Sequence, residues 1–333
     1  VERFIVGTGR CGSTLLSRML GENPETLSVF ELMNGLDPSR RFQAEPMTGR
    51  EFAELLSAEQ PVLTAVLKRG YPVEEVTYPF GRGRYGRGDA VPWMLISALP
   101  RWTDDPDALF DATVAFLTAE PQRPPVEHFR AVMGFWMRRL GRTHWMERAG
   151  SSIDYLEQLA LGFPGARFVH IHRDGPEASL SMREHHAFRL PICMMYNAPV
   201  ASGRTVWELG ALDFQGEPTP GDAVSQILDA RPPAQFFGRY WCDQVVHGFR
   251  ALRVLDRDQY LEVSFEDLVT RPRQELERVR AFFALGPDPD GWIDRAAALV
   301  RGVPPARAPE LPDEERRALQ AACAAGMKLL GRM

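Results

Sequence analysis

At 333 residues, with 44% hydrophobic and 25% charged side chains, the chain is long enough to bury a full core. Its formal charge of -5 gives no global reason to expect a nucleic-acid partner, and its four cysteines, Cys11, Cys193, Cys242 and Cys323, are scattered without metal-ligand spacing and fit a reduced compartment. No apolar run approaches a membrane span and no leader pattern opens the chain, so a soluble, cytoplasmic protein without integral membrane association is expected.

In chain order, Phe4–Val6 reads as a strand that runs into a glycine-rich turn, Gly7-Thr8-Gly9-Arg10-Cys11-Gly12, and the turn opens into a helix over Thr14–Leu20. Val62–Leu67 is read as a second strand. Gly81–Gly88, Gly-Arg-Gly-Arg-Tyr-Gly-Arg-Gly, is a basic loop that could cover an anion or be an exposed loop without chemistry. A helix over Phe129–Leu140 precedes a strand over His144–Glu147. A helix over Ile153–Leu161 follows, then a strand over Arg167–Ile171, and Pro176 suits the first turn of the next helix. The stretch from Arg189 to Arg231 is rich in Pro and Gly and could shape an acceptor pocket. The remaining elements are a helix over Phe237–Val254, a strand over Tyr260–Ser264, a loop over Gly302–Pro309 and a helix over Asp313–Leu330. Alternating strands and helices predict an α/β fold, a P-loop-type central parallel sheet flanked by helices. The whole of 1–333 is expected to form one domain, with residues 81–140 and 189–235 as insertions or lid segments.

In such a sheet, binding groups gather at the C-terminal strand ends. A glycine-rich turn before a helix N-terminus aims backbone N–H groups at an anion. A nucleotide triphosphatase loop would place Lys directly after Gly12, where this chain has Ser13 and Thr14, with its cation earlier, at Arg10. Lys68 and Lys328 are the only lysines, so an anion-binding lysine would be replaced by arginine here. Arg173, at the end of the fourth predicted strand, and Ser181, eight residues on, offer a guanidinium fork and a hydroxyl to a second phosphate. Arg148 ends another strand and could clamp a transferring oxyanion, while Ser151 or Ser152 could cap the helix beyond it.

Arg10-Cys11-Gly12-Ser13-Thr14 resembles the 5'-phosphosulfate loop of sulfotransferases, usually Arg-Ser-Gly-Thr-Thr. Arg173-Asp174-Gly175 with Ser181-Met182 is similar to their 3'-phosphate motif at the family spacing. Glu147-Arg148-Ala149-Gly150 resembles the intervening strand end, often Glu-Lys-Thr-Pro, and Leu261–Val269 followed by Arg271-Pro272 resembles a strand that in the family reads Val-Arg-Tyr-Glu-Asp-Leu. The four motifs stand in family order across residues 3 to 285. Within the family, the pattern is similar to tyrosylprotein sulfotransferases and the bacterial group that shares it. Their general base is a glutamate 21 residues after the loop arginine, a position held here by Glu31.

The resemblance implies 3'-phosphoadenosine-5'-phosphosulfate (PAPS) as sulfonate donor, used without a metal. Arg10, Cys11, Gly12, Ser13, Thr14, Arg173 and Ser181 would bind it, and Glu31, Arg10 and Arg148 would be catalytic. Glu31 should then be partly desolvated. A small-molecule, lipid or sugar hydroxyl is the expected acceptor. Three departures stand out: Cys11 for serine, Arg148 for lysine and Phe265 for tyrosine. Histidine is the rival base, as in cytosolic small-molecule sulfotransferases, with His144, His170, His172, His185 and His186 as candidates. The competing functions are a kinase-like phosphotransferase and a catalytically inactive nucleotide-binding protein.

Overall fold

The computed structural model describes residues 1–200, 203–253 and 255–332. Ala201 and Ser202, in the predicted acceptor-pocket stretch, and Val254, the predicted end of a helix, lie outside the described residues. The chain forms two compact units. The first comprises Val1–Ala58, Pro92–Arg173 and Gly248–Pro304; the second comprises Glu59–Val91, Asp174–His247 and Pro305–Met333.

The first unit is built on a five-stranded, all-parallel sheet. Its strands are β1 (Arg3–Gly7), β2 (Thr26–Phe30), β3 (His144–Arg148), β4 (Arg167–His172) and β5 (Tyr260–Ser264), in the order β2-β3-β1-β4-β5. Central β1 is buried along its whole length because both of its faces are covered, as parallel sheets require. On one face Ile5, Val169, Ile171 and Val263 pack with Leu16 and Leu20 of helix α1 (Ser13–Gly21) and with Leu276, Val279 and Phe283. On the other, Phe4 packs against Trp145, Phe163 and Phe168 with ring centroids 5.0–5.6 Å apart. Alternation along each strand produces this division, since neighbouring residues point to opposite faces.

The register brings the strand ends level. Phe30 pairs with Arg148, Gly7 with Ile171, and His172 with Ser264. The residues that follow these ends are Glu31, Arg173 and Phe265, with Arg148 itself closing β3. The topology therefore delivers most of the motif residues to one edge of the sheet.

Three readings need correction. Val62–Leu67 is not a strand but lies within a helix over Pro61–Lys68, where Pro61 occupies the first turn and the Gln60 side chain accepts from the Leu63 N–H at 2.7 Å. Thr26–Phe30, whose Thr-Leu-Ser-Val-Phe sequence alternates, forms the β2 edge strand that the sequence reading did not mark. The segment expected as Ile153–Leu161 is a 3-10 turn, Ser152–Tyr155, followed by a helix over Leu156–Gly162.

The second unit is helical, with helices Gly175–Arg183, His186–Met195 and Asp313–Leu329 among its elements, together with the Ala234–Leu252 helix as far as His247. The glycine-rich Gly81–Gly88 belongs to it, whereas residues 92–140 belong to the first unit. Trp241 is a core residue here, and Cβ atoms built on Gly175 or Gly326 would lie 2.6 Å from its ring. Trp207, by contrast, is 73% exposed. Among the described residues no helix is long and apolar enough to cross a membrane.

Candidate active site

After β1 the backbone curls through two left-handed residues, Arg10 (φ 58°) and Gly12 (φ 97°), before α1 begins at Ser13. Such a curl gathers amide N–H groups into an anion-binding concavity, and the uncapped first turn of α1 adds its own. Gly12 caps α1 without a side chain, and glycine is required there twice over. Its φ is disfavoured for any L-residue, and a Cβ would lie 2.3 Å from the Phe265 ring. The Cys11 side chain turns inward and is fully buried with Ile5, Leu16 and Val169, and burial pushes its thiol pKa up. Cys11 can thus serve an anion only through its backbone.

Arg148 organises the site. Its Nε donates to Ser13 Oγ at 2.9 Å, Nη2 donates to Thr14 Oγ1, and Nη1 is paired with the Glu31 carboxylate. The guanidinium also lies over the Phe30 ring, 4.4 Å from its centroid. Both partners of the ion pair are largely sheltered, with side chains 5% (Arg148) and 15% (Glu31) exposed. Glu31 accepts two more bonds, from the Gly150 N–H at 3.0 Å and Asn34 Nδ2 at 3.3 Å. Its backbone is left-handed, with φ 54°, and its N–H donates to the Arg148 carbonyl at 2.7 Å.

Arg173 follows β4. Its guanidinium stacks on Phe265, 4.6 Å from the ring centroid, and Nη1 donates to the Arg10 carbonyl at 3.5 Å. Phe265, at the position where the resembling strand carries tyrosine, therefore supplies a surface under Arg173 and a wall against Gly12. Ser181 lies on the Gly175–Arg183 helix of the second unit, with Pro176 in that helix's first turn as expected.

The expected helix cap after β3 is not formed. Ser151 makes no side-chain cap bond, and the Ser152 hydroxyl turns back to the Ala149 carbonyl at 2.8 Å because the chain first takes a 3-10 turn. The first-unit histidines are engaged elsewhere. Burial and the neighbouring His172 push the His170 imidazole down to about 3, and its Nδ1 sits 2.8 Å from the Tyr260 hydroxyl. His172 Nε2 meets Glu262 at 2.9 Å, and His144 starts β3, about 13 Å of strand from Arg148. In the second unit His185 Nε2 is 2.8 Å from Glu75.

The roles of two residues at the site went unread in the sequence. Glu147 is fully buried. Burial raises its carboxyl, the Met33 N–H opposes that and the nearby Glu31 charge adds to it, leaving Glu147 at about 8. Trp93 reaches the site from a separate segment, its Nε1–H donating to the carbonyls of Glu31 and Leu32 at 3.0 and 2.9 Å. No local pattern marks a partner 62 residues away; Glu147, beside the motif's arginine, carried the only available hint.

The sulfotransferase domain of the curacin biosynthetic pathway aligns over 100% of this chain and 98% of its own, with a TM-score of 0.52 and 12% identity. The sulfotransferase domain of the Synechococcus PCC 7002 olefin synthase aligns over 99% and 94%, with a TM-score of 0.50 and 17% identity. The chain has the sulfotransferase fold. No protein-family model matches it, and no curated protein does. The curled loop and the uncapped helix start suit an anion, and Arg173 offers a guanidinium to a second one. Among the described residues, no group of three or more His, Cys, Asp or Glu side chains is arranged to hold a metal ion.

Proposed function

We propose that this protein is a PAPS-dependent sulfotransferase acting on the hydroxyl of a small-molecule, lipid or sugar acceptor. One observation carries the proposal: Arg148 joins the start of the anion-binding helix, through Ser13 and Thr14, to a sheltered carboxylate, Glu31. A cation for a sulfonyl group and a base for a hydroxyl thereby share one network. PAPS as substrate supplies an activated sulfonyl group on a 5'-phosphate leaving group.

Glu31 takes the acceptor hydroxyl proton as the acceptor oxygen bonds to sulfur and the sulfur–oxygen bond to phosphate breaks. Arg10, Arg148 and the N–H groups of Gly12, Ser13 and Thr14 stabilise the charge that grows on the sulfonyl and bridging oxygens. The Arg148–Glu31 ion pair holds the carboxylate out of use as a base. In this mechanism Arg148 transfers to the sulfonyl oxygens when donor binds, which frees Glu31 for the proton. Arg173 takes the 3'-phosphate, with Ser181 assigned beside it from its sequence spacing. The Cys11 amide serves the loop. The motif order favours the branch that resembles tyrosylprotein sulfotransferases, without their protein substrate.

Isothermal titration calorimetry with 3'-phosphoadenosine-5'-phosphate (PAP), beside AMP, ADP and Mg-ATP, tests the donor assignment. PAP should bind far more tightly than AMP, and Arg173→Ala should weaken PAP about tenfold to a hundredfold, the value of a charge-assisted contact. Equal binding of PAP and ADP, or magnesium-dependent preference for ATP, would overturn the assignment.

A further inference from the structure

Glu31 holds a left-handed φ of 54°, a conformation that is costly for a non-glycine residue and persists only where the surroundings over-determine it. The surroundings that do so lie beneath the chain, away from the ion pair. The Trp93 indole N–H is shared between the carbonyls of Glu31 and Leu32. Met33 is held through both of its backbone polar groups: its N–H donates to Glu147 Oε1 at 3.3 Å, and its carbonyl accepts from Arg41 Nη1 at 3.1 Å. Arg41 is itself fixed by stacking on Tyr155, 3.9 Å from the ring centroid. Two residues on, Gly35 admits the Trp93 ring so closely that a Cβ there would lie 2.1 Å from it.

We propose that Trp93, Glu147 and Arg41 are positioning residues, a buried clamp that locks the Glu31–Met33 backbone so that the Glu31 carboxylate meets Arg148 and the Gly150 N–H. The role as a base-positioning device rests on the sulfotransferase reading given above. Strand β3 then serves both sides of the site. Arg148 meets the carboxylate, and its neighbour Glu147, on the opposite face, holds the peptide that aims it. Glu147 performs this task as an acceptor, so glutamine can replace it and leucine cannot. Trp93 performs it as a donor, so phenylalanine fills much of the space without the bond. None of the three hydrogen-bonds to the loop or to Arg173.

Residue-resolved hydrogen exchange of the Glu31 amide tests the clamp, because that amide bonds to the Arg148 carbonyl and to no clamp residue. In Glu147→Leu and Trp93→Phe it should exchange about tenfold faster than in the wild-type protein, the effect of one lost hydrogen bond. Glu147→Gln should restore the wild-type rate, amides of β1 and β4 should be unaffected, and PAP affinity should stay within about twofold in all variants. Unchanged exchange at Glu31 in both disruptive variants would overturn the clamp, as would acceleration spread equally over β1 and β4. If Glu147→Leu does not fold, Trp93→Phe decides alone. Failure of the wild-type protein to bind PAP would instead remove the donor assignment, and the exchange result would still decide the clamp.

Discussion

At the scale of single residues, the site sets one carboxylate against another. Glu31 is paired and hydrogen-bonded, whereas Glu147 is buried with Oε2 lacking a hydrogen-bond partner among the described residues. Glu31→Gln should lower sulfonate transfer by about 100- to 10,000-fold, the worth of a general base, without weakening PAP, since Arg148 is released toward the anion. A coupled loss of PAP affinity would show Glu31 to be part of the donor site instead. For Glu147 the sign follows from its raised pKa, about 8 against an ordinary 4.5. Between those values the folded protein holds a proton that the unfolded chain has released. Folding stability from this group is complete below about pH 4.5 and is lost as pH rises through 8. Glu147→Gln should therefore melt increasingly above the wild-type protein as pH is raised from 5 to 8, in thermal scans at matched ionic strength. A constant gap across that range would show that Glu147 does not carry the titration.

At the scale of elements, the turn from β1 into α1 is the most constrained piece of backbone, and Gly12 is where it can be tested. An added methyl must displace Phe265, on which Arg173 rides, and must also accept φ 97°. Gly12→Ala should cost about 2–4 kcal/mol in denaturant unfolding and weaken PAP. Adding Phe265→Ala should recover the steric part of the Gly12→Ala cost but leave the backbone part. Strict additivity of the two substitutions would mean that the ring and the loop are not coupled. This element was legible in the sequence because glycine, charge and helix onset fall within ten residues. The strands before Arg148 and Arg173 were legible because short apolar stretches, Trp145-Met146 and Phe168-Val169, precede those charges. Val62–Leu67 was misread because a six-residue apolar run fits either period; Pro61, well placed for a helix's first turn, was the decisive neighbour. β2 was overlooked because it is short and polar at Ser28, where an edge strand tolerates it. The Trp93–Glu31 and Arg41–Met33 bonds had no local signal at all, since they join segments separated in the chain and depend on the completed fold.

At the scale of the whole molecule, the two units differ in kind. One is a sheet that carries the loop, Glu31 and the arginines at its edge; the other is a helical unit that carries Ser181. The order of strands, β2-β3-β1-β4-β5, sends successive crossovers to opposite sides of β1, and the loop after β1 is the switch point where ligands bind in open α/β sheets. The alternation of strands and helices indicated the class of fold, and the motifs at strand ends indicated this edge. The boundary between Val91 and Pro92 falls inside the segment 81–140, whereas 189–235 lies within the helical unit.

All four cysteines are free and buried, one in the sheet-bearing unit and three in the helical unit. Each unit thus contains its own concealed chemical timer. A thiol reagent such as iodoacetamide can mark Cys11 only when the first unit opens, and Cys193, Cys242 or Cys323 only when the second does. Pulsed alkylation followed by peptide mass mapping should show slow labelling at all four in the native protein. PAP should slow Cys11 further, by a factor that approaches 1 + [PAP]/Kd when binding requires the closed loop. Rapid native labelling of Cys11 would contradict the inward turn of its side chain. Unequal clocks for the two groups would reveal which half of the molecule gives way first.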